Sequence, residues 1–165
     1  MNKAIHFLDI LLWTMGRVES AAASVGPVLD PWGVEGTGAA VLRFKNGALG
    51  CFSATDAIES DQMWRVELHG TKGGAVVENG EFRFWRTRNG YKERRIRDDE
   101  PLLSQSARTK ILFGTGHLKQ VIDFVEGIRE GRPPTVPAAD GRHNIAVLEA
   151  IYRSTISGAF EEVTL

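Results

Sequence analysis

Three Asn-Gly dipeptides, at Asn46-Gly47, Asn79-Gly80 and Asn89-Gly90, constrain the fold of this chain more than any other feature of it. Asn and Gly accept the positive φ angles of tight hairpin turns, whose twist matches that of the strands they join, so each pair predicts two antiparallel neighbours. The flanking segments agree. In WRVELHG, Trp64, Val66 and Leu68 alternate with Arg65, Glu67 and His69, and EFRFWR repeats the pattern with Phe82 and Phe84 on the inner face. Residues 17–97 therefore read as a largely antiparallel sheet of about six to eight strands with one face packed on helices.

The helices come from the flanks. Ile5, Leu8, Leu12 and Met15 recur at helical spacing, which predicts an amphipathic helix over residues 3–16 that Gly16 ends. Residues 98–114 have no period and read as a long connection. A second helix runs from Thr115 to Glu130 with Leu118, Val121, Ile122, Val125 and Ile128 on one face, stopped by Gly131 and Pro133-Pro134. The third starts at Asp140 as N-cap, carries Ile145, Leu148, Ile151, Tyr152 and Thr155 inward, and ends at Gly158. A last strand is expected at residues 161–164. The fold class is α+β: one domain over residues 1–165, with a large mostly antiparallel sheet and helices on one face.

Composition excludes several classes of protein. With 42% hydrophobic and 25% charged residues the chain is neither disordered nor collagen-like. At 165 residues, folding removes roughly 68–70% of the unfolded surface from water, so no disulfide or metal staple is needed. Twenty Lys and Arg against 21 Asp and Glu leave no global attraction to nucleic acid or an anionic membrane. The lone Cys51, in LGCFS, reads as a small buried thiol, which suits a reducing cytoplasm. No apolar run approaches the roughly 18 residues of a membrane span. The opening MNKAIHFLDILLWTMG imitates a secretory signal, but His6 and Asp9 interrupt it with a helical period. A cytoplasmic location is expected.

On the first helix Asn2, His6, Asp9 and Trp13 are spaced four, three and four apart and share the face opposite the apolar stripe. A His with a carboxylate one turn away suits general acid/base work, because the carboxylate can fix the imidazole tautomer and adjust its basicity. On residue types alone a solvated polar stripe is the more economical reading. Gly36-Thr37-Gly38-Ala39-Ala40-Val41 begins like a dinucleotide fingerprint but runs into a hairpin pattern, and Gly70-Thr71-Lys72-Gly73-Gly74 lacks phosphate-loop spacing. Neither is a nucleotide site. Residues 81–97 hold seven basic side chains against two acidic ones, with Phe82, Phe84, Trp85 and Tyr91 interleaved. That is a recipe for single-strand nucleic-acid binding, yet a hairpin with one solvated face explains it with fewer assumptions. His69, His143 and Cys51 show no metal-ligand spacing, so no metal is expected.

Four strings, NKAIHFLDILLWTMG, ELHGTKGGAVVENG, GHLKQVIDFVEGIREGRPPTV and DGRHNIAVLEAIYRSTISG, together and in this order resemble the C-terminal half of the Gfo/Idh/MocA family of glucose-fructose oxidoreductases and inositol dehydrogenases. The resemblance implies an α+β domain serving substrate binding and homo-oligomer formation through its sheet. It also implies an N-terminal Rossmann domain in complete members, carrying NAD or NADP and a catalytic Lys in a Glu-Lys-Pro motif. The family pattern D-x-x-x-H-x-x-D falls on residues 2–9. By it His6 resembles the catalytic acid/base and Asp9 a ligand of a substrate hydroxyl, while Asn2 stands where the family often has Asp and can hydrogen-bond a sugar hydroxyl but not take its proton. His117 is a further candidate for the same pocket. The resemblance turns the reading of the first helix from solvated stripe to site.

These 165 residues contain neither a nucleotide-binding half nor Glu-Lys-Pro. The expectation is thus a domain that binds no nicotinamide alone and does not turn over alone, its partners being a sugar or polyol, other copies of itself and a Rossmann domain. The alternative is a non-catalytic dimeric scaffold derived from the same domain.

Overall fold

In the computed structural model, which describes residues 4–26, 35–55, 64–78, 81–93 and 115–165, the first apolar stripe forms α1 (Ala4–Met15). Ala4, Leu8 and Leu12 are buried, with Ile5, Phe7, Leu11 and Met15 packed around them. Gly16 ends the helix at φ 90°, a conformation that a side chain would strain, and its N–H donates to the Leu12 carbonyl at 2.8 Å.

Seven strands follow: β1 (Val18–Gly26), β2 (Thr37–Phe44), β3 (Leu49–Thr55), β4 (Arg65–Gly70), β5 (Gly73–Glu78), β6 (Glu81–Thr87) and β7 (Gly90–Glu93). Then come α2 (Thr115–Glu130), α3 (Ala138–Ser157) and a two-residue β8 (Glu161–Glu162), shorter than the strand expected at residues 161–164. The α+β class holds, and every strand pair is antiparallel. The strands divide, however, into two four-stranded sheets, ordered β3-β2-β1-β8 and β4-β5-β6-β7. A hairpin signal specifies only the neighbours that a turn joins, and no described pairing links β3 to β4.

Asn46-Gly47 lies in the turn between β2 and β3, and Asn89-Gly90 joins β6 to β7. Asn79-Gly80 lies outside the described residues, although β5 and β6 pair as expected. The Asn46 turn has a second task. Its Nδ2 donates to the Met15 carbonyl at 2.9 Å while its Oδ1 accepts from the Ala48 N–H at 3.0 Å, so one side chain ties the hairpin to the end of α1. The Gly70–Gly74 stretch forms the β4–β5 turn. Gly73 is required there, since a Cβ would lie 2.1 Å from the Arg86 carbonyl oxygen.

The core lies on one face of the first sheet. Ala40, Leu42 and Phe44 point inward from β2 and Phe52 from β3, against α1 and against Val147, Leu148, Ala150 and Ile151 of α3. Each large side chain so buried contributes about 1.5–3 kcal/mol. Cys51 corrects an expectation: it is exposed, because β3 alternates and Phe52 takes the inward phase. Phe82 corrects another. A register shift opposite Val76 and Val77 leaves Arg83 as the extra residue of β6, so Phe82 is exposed while the Arg83 guanidinium turns in toward Glu78 at 3.2 Å.

Two further corrections concern α3. It begins at Ala138, so Asp140 sits in the first turn, where its charge favours the helix dipole, and not at the cap. Its buried stripe is His143, Asn144, Val147, Leu148, Ile151 and Ser154 with Ala146 and Ala150, whereas Ile145 and Tyr152 are outside it. Ser154 Oγ accepts from the Ala23 N–H at 2.8 Å and donates to the Ala159 carbonyl at 2.7 Å.

The chain divides into two compact units, Met1–Arg94 with Gly141–Leu165, and Arg95–Asp140. In the second, α2 spans the residues expected, and the chain beyond it folds back. Asp123 accepts from the Thr135 N–H at 2.7 Å, the Arg132 guanidinium at 2.9 Å and the Thr135 hydroxyl at 3.0 Å. Those bonds, the Thr135 N–H first and Arg132 next, hold the Asp123 carboxyl below its ordinary range.

Ser154→Ala is expected to destabilise the protein by about 1–3 kcal/mol, since it leaves the Ala23 N–H without its acceptor. Urea unfolding of the variant and the parent measures it.

Candidate functional site

Burial of Ala4, Leu8 and Leu12 sets the rotation of α1, and helical geometry then sends His6, Asp9 and Trp13 to the opposite, exposed face. Trp13 is 86% exposed, a large apolar surface left in water beside a polar row. Of the expected row, Asn2 lies outside the described residues. His117 is exposed on the first turn of α2, which belongs to the second compact unit, whereas His6 and Asp9 belong to the first.

One contact of this row was not foreseen. Asn144 of α3, itself 8% exposed, donates from Nδ2 to Asp9 Oδ1 at 2.5 Å across 135 positions of sequence. The signal was present as two adjacent polar residues, His143-Asn144, in a helix whose other inward positions are almost all apolar. His143 accepts the Val18 N–H on Nε2 at 3.2 Å. In the neutral ring the proton then sits on Nδ1, which is buried with no hydrogen-bond partner among the described residues. Burial, and after it the positive charges of Arg17 and Lys45, depress the basicity of His143.

A cavity of about 810 Å³ adjoins Phe7 and Leu11 of α1, the ends of β2 and β3 and the start of β4. Its charged lining is already engaged: Arg65 pairs with Glu67 at 2.7 Å, and the Tyr152 hydroxyl donates to Glu35. Burial first and the Glu35 carboxylate next push the Tyr152 phenol up to about 12. The cavity lining includes none of His6, Asp9 and Asn144. Among the described residues no group of three or more His, Cys, Asp or Glu is arranged to hold a metal.

A dinucleotide needs a glycine turn that opens a helix N-terminus onto its pyrophosphate. Among the described residues, neither glycine stretch fits that group. Gly36–Val41 leads into β2, paired on both sides, and Gly70–Gly74 is a hairpin turn.

The family described as "Oxidoreductase family, C-terminal alpha/beta domain" matches residues 1–165. The chain belongs to the Gfo/Idh/MocA oxidoreductases, as their C-terminal domain. It is 24% identical over 151 residues to a myo-inositol 2-dehydrogenase of Thermotoga maritima, covering 86% of this chain and 42% of that protein. Among solved structures it resembles the WlbA dehydrogenase of Bordetella pertussis, in complex with NADH and UDP-GlcNAcA, with a TM-score of 0.77 and 25% identity over all of this chain and 44% of that one. An Agrobacterium radiobacter oxidoreductase in complex with NAD+, L-tartaric acid and magnesium has the same fold, with a TM-score of 0.76 and 21% identity, over 96% of this chain and 47% of that one. The chain thus spans under half the length of each of these family members. None of its described helices is long and apolar enough to cross a membrane.

The depressed basicity of His143 has a measurable consequence for this family member. Its folded form binds a proton less readily than the unfolded chain, so stability is full above the ordinary value near 6.5 and declines as pH falls below it. One proton sets the upper bound of that slope at about 1.4 kcal/mol per pH unit. Urea unfolding at a series of pH values between neutrality and mild acid should show it, and His143→Gln, which keeps an acceptor for Val18, should flatten it.

Proposed function

We propose that this chain is the substrate-binding and oligomerisation half of an NAD(P)-dependent oxidoreductase acting on a CH–OH group of a sugar, inositol or related polyol. The observation that carries the reading is the exposed His6–Asp9 row on a buried helix, with the Asp9 carboxylate anchored by Asn144. His6 takes the proton from the substrate hydroxyl oxygen. Asp9 accepts a hydrogen bond from a neighbouring hydroxyl and so fixes the sugar ring relative to His6. Trp13 offers an apolar platform for the C–H face of the ring. Asn2, four positions before His6, would hydrogen-bond a further hydroxyl. The nicotinamide, bound by another domain of the complete enzyme, supplies the hydride acceptor. Nicotinamide dependence is supported by the NADH held by WlbA and a polyol substrate by the name of the Thermotoga relative, the one at 25% and the other at 24% identity.

The oligomer reading rests on the open face of the first sheet. Ala39 and Val41 of β2 and Leu49 and Cys51 of β3 are exposed there, and the Arg43 guanidinium of the same face lies over the Phe160 ring at 3.7 Å, which leaves a mostly apolar strip suited to packing on another copy.

In the intact oxidoreductase, His6→Ala should lower kcat by about 10²- to 10⁴-fold on whichever member of a panel of inositols, hexoses and nucleotide sugars it oxidises. Steady-state kinetics decide it, and undiminished turnover would remove His6 from the chemistry. Val41→Glu should shift the oligomer toward monomer in light scattering, because a charge would then have to be buried in the contact.

A further inference from the structure

We propose that Asn144 is the positioning residue of the substrate site, holding Asp9 so that one carboxylate oxygen stays aimed at the substrate. The inference rests on the reading of His6 and Asp9 as that site, and deepens it.

Asp9 stands on an exposed helix face, where a carboxylate normally moves among several rotamers. Here Asn144 Nδ2 donates to its Oδ1 at 2.5 Å, and the amide comes from a buried position on another helix. That helix cannot easily shift. Val147, Leu148 and Ile151 lock it in the core, and the residue before Asn144, His143, receives the Val18 N–H at the start of β1. The donor is therefore fixed by the scaffold, and the acceptor is fixed by the donor. Asp9 Oδ2 has no partner among the described residues, which leaves it to accept from a ligand hydroxyl.

A purely structural account of Asn144 is weaker. Asn is a poor helix former, and burying an amide costs free energy unless its hydrogen bonds are met. Packing on the first sheet would be served as well by Ala, which stands at positions 146 and 150 of the same helix. What Asn adds is a donor directed at one carboxylate, a charge-assisted bond of the stronger kind.

The test is a double-mutant cycle in the intact oxidoreductase, with Asn144→Ala, Asp9→Ala and the pair, read as kcat and KM on its sugar or polyol substrate. Asn144→Ala alone should lower kcat/KM by about 10- to 100-fold, chiefly through KM, because Asp9 binds substrate in ground and transition states alike. In the Asp9→Ala background the same change should alter kcat/KM by less than about twofold, since a residue that acts through Asp9 has nothing left to position. Asn144→Asp gives an independent reading that survives if the Ala variant folds poorly. Two facing carboxylates repel at neutral pH and share a proton in acid, so its kcat/KM relative to the parent should rise as pH falls.

Additive losses in the cycle, or an Asn144→Asp variant whose relative activity ignores pH, would overturn the positioning role. If Asp9→Ala and His6→Ala both leave the kinetics unchanged, the site reading itself fails and the inference falls with it. If those two impair turnover while Asn144→Ala does not, only the inference is lost.

Discussion

The partly unpaired edge of β1 sets the terms for the rest of the first unit. On one side β1 is paired with β2 along its length, but on the other β8 covers only Ser20 and Ala21. The Val18 and Ala23 N–H groups flank that short cover and need acceptors in a region that α3 keeps dry. His143 and Ser154 provide them. The two side chains lie three turns apart on α3, so meeting both demands fixes where that helix sits along the strand and how it is rotated. With the rotation fixed, Leu148 and Ile151 enter the core and Asn144 faces α1. A backbone requirement of one strand thereby places a side chain at the candidate site.

The same requirement explains which parts of the fold were legible. Hairpins with a turn signal, the α1 stripe and the bounds of α2 follow from local pattern and were read from it. The stripe of α3 was misread in part because its buried face contains His143, Asn144 and Ser154, so a search for apolar residues rotated the helix toward Ile145 and Tyr152, both outside. Phe82 failed for a different reason: alternation assumes an unbroken register, and the extra residue at Arg83 breaks it. Cys51 failed because both phases of LGCFS carry apolar residues, and only the partner helices decide that Phe52 goes in. The division into two sheets is a long-range property that no turn encodes.

The candidate site was half legible. His6 and Asp9 share a face by spacing alone, and the exposure of that face agrees with it. Their partner Asn144 is 135 residues away and belongs to no local pattern. Its trace was the polarity of two adjacent residues on a stripe that, Ser154 aside, is otherwise apolar. Such a residue has to satisfy something, and the fold shows what: His143 serves the strand and Asn144 serves the carboxylate.

On the proposed reading this arrangement addresses a difficulty peculiar to polyols. Their hydroxyls are chemically alike and closely spaced, so an acceptor free to rotate has to be ordered on one of them at each binding event, and that ordering weakens the hold on the productive pose. Fixing one oxygen of Asp9 removes that freedom before the substrate arrives, and the ordering entropy is then met during folding, not binding. A short side chain on an outer helix face gains the precision of the core in this way, through one buried amide, while the face itself stays open to ligand.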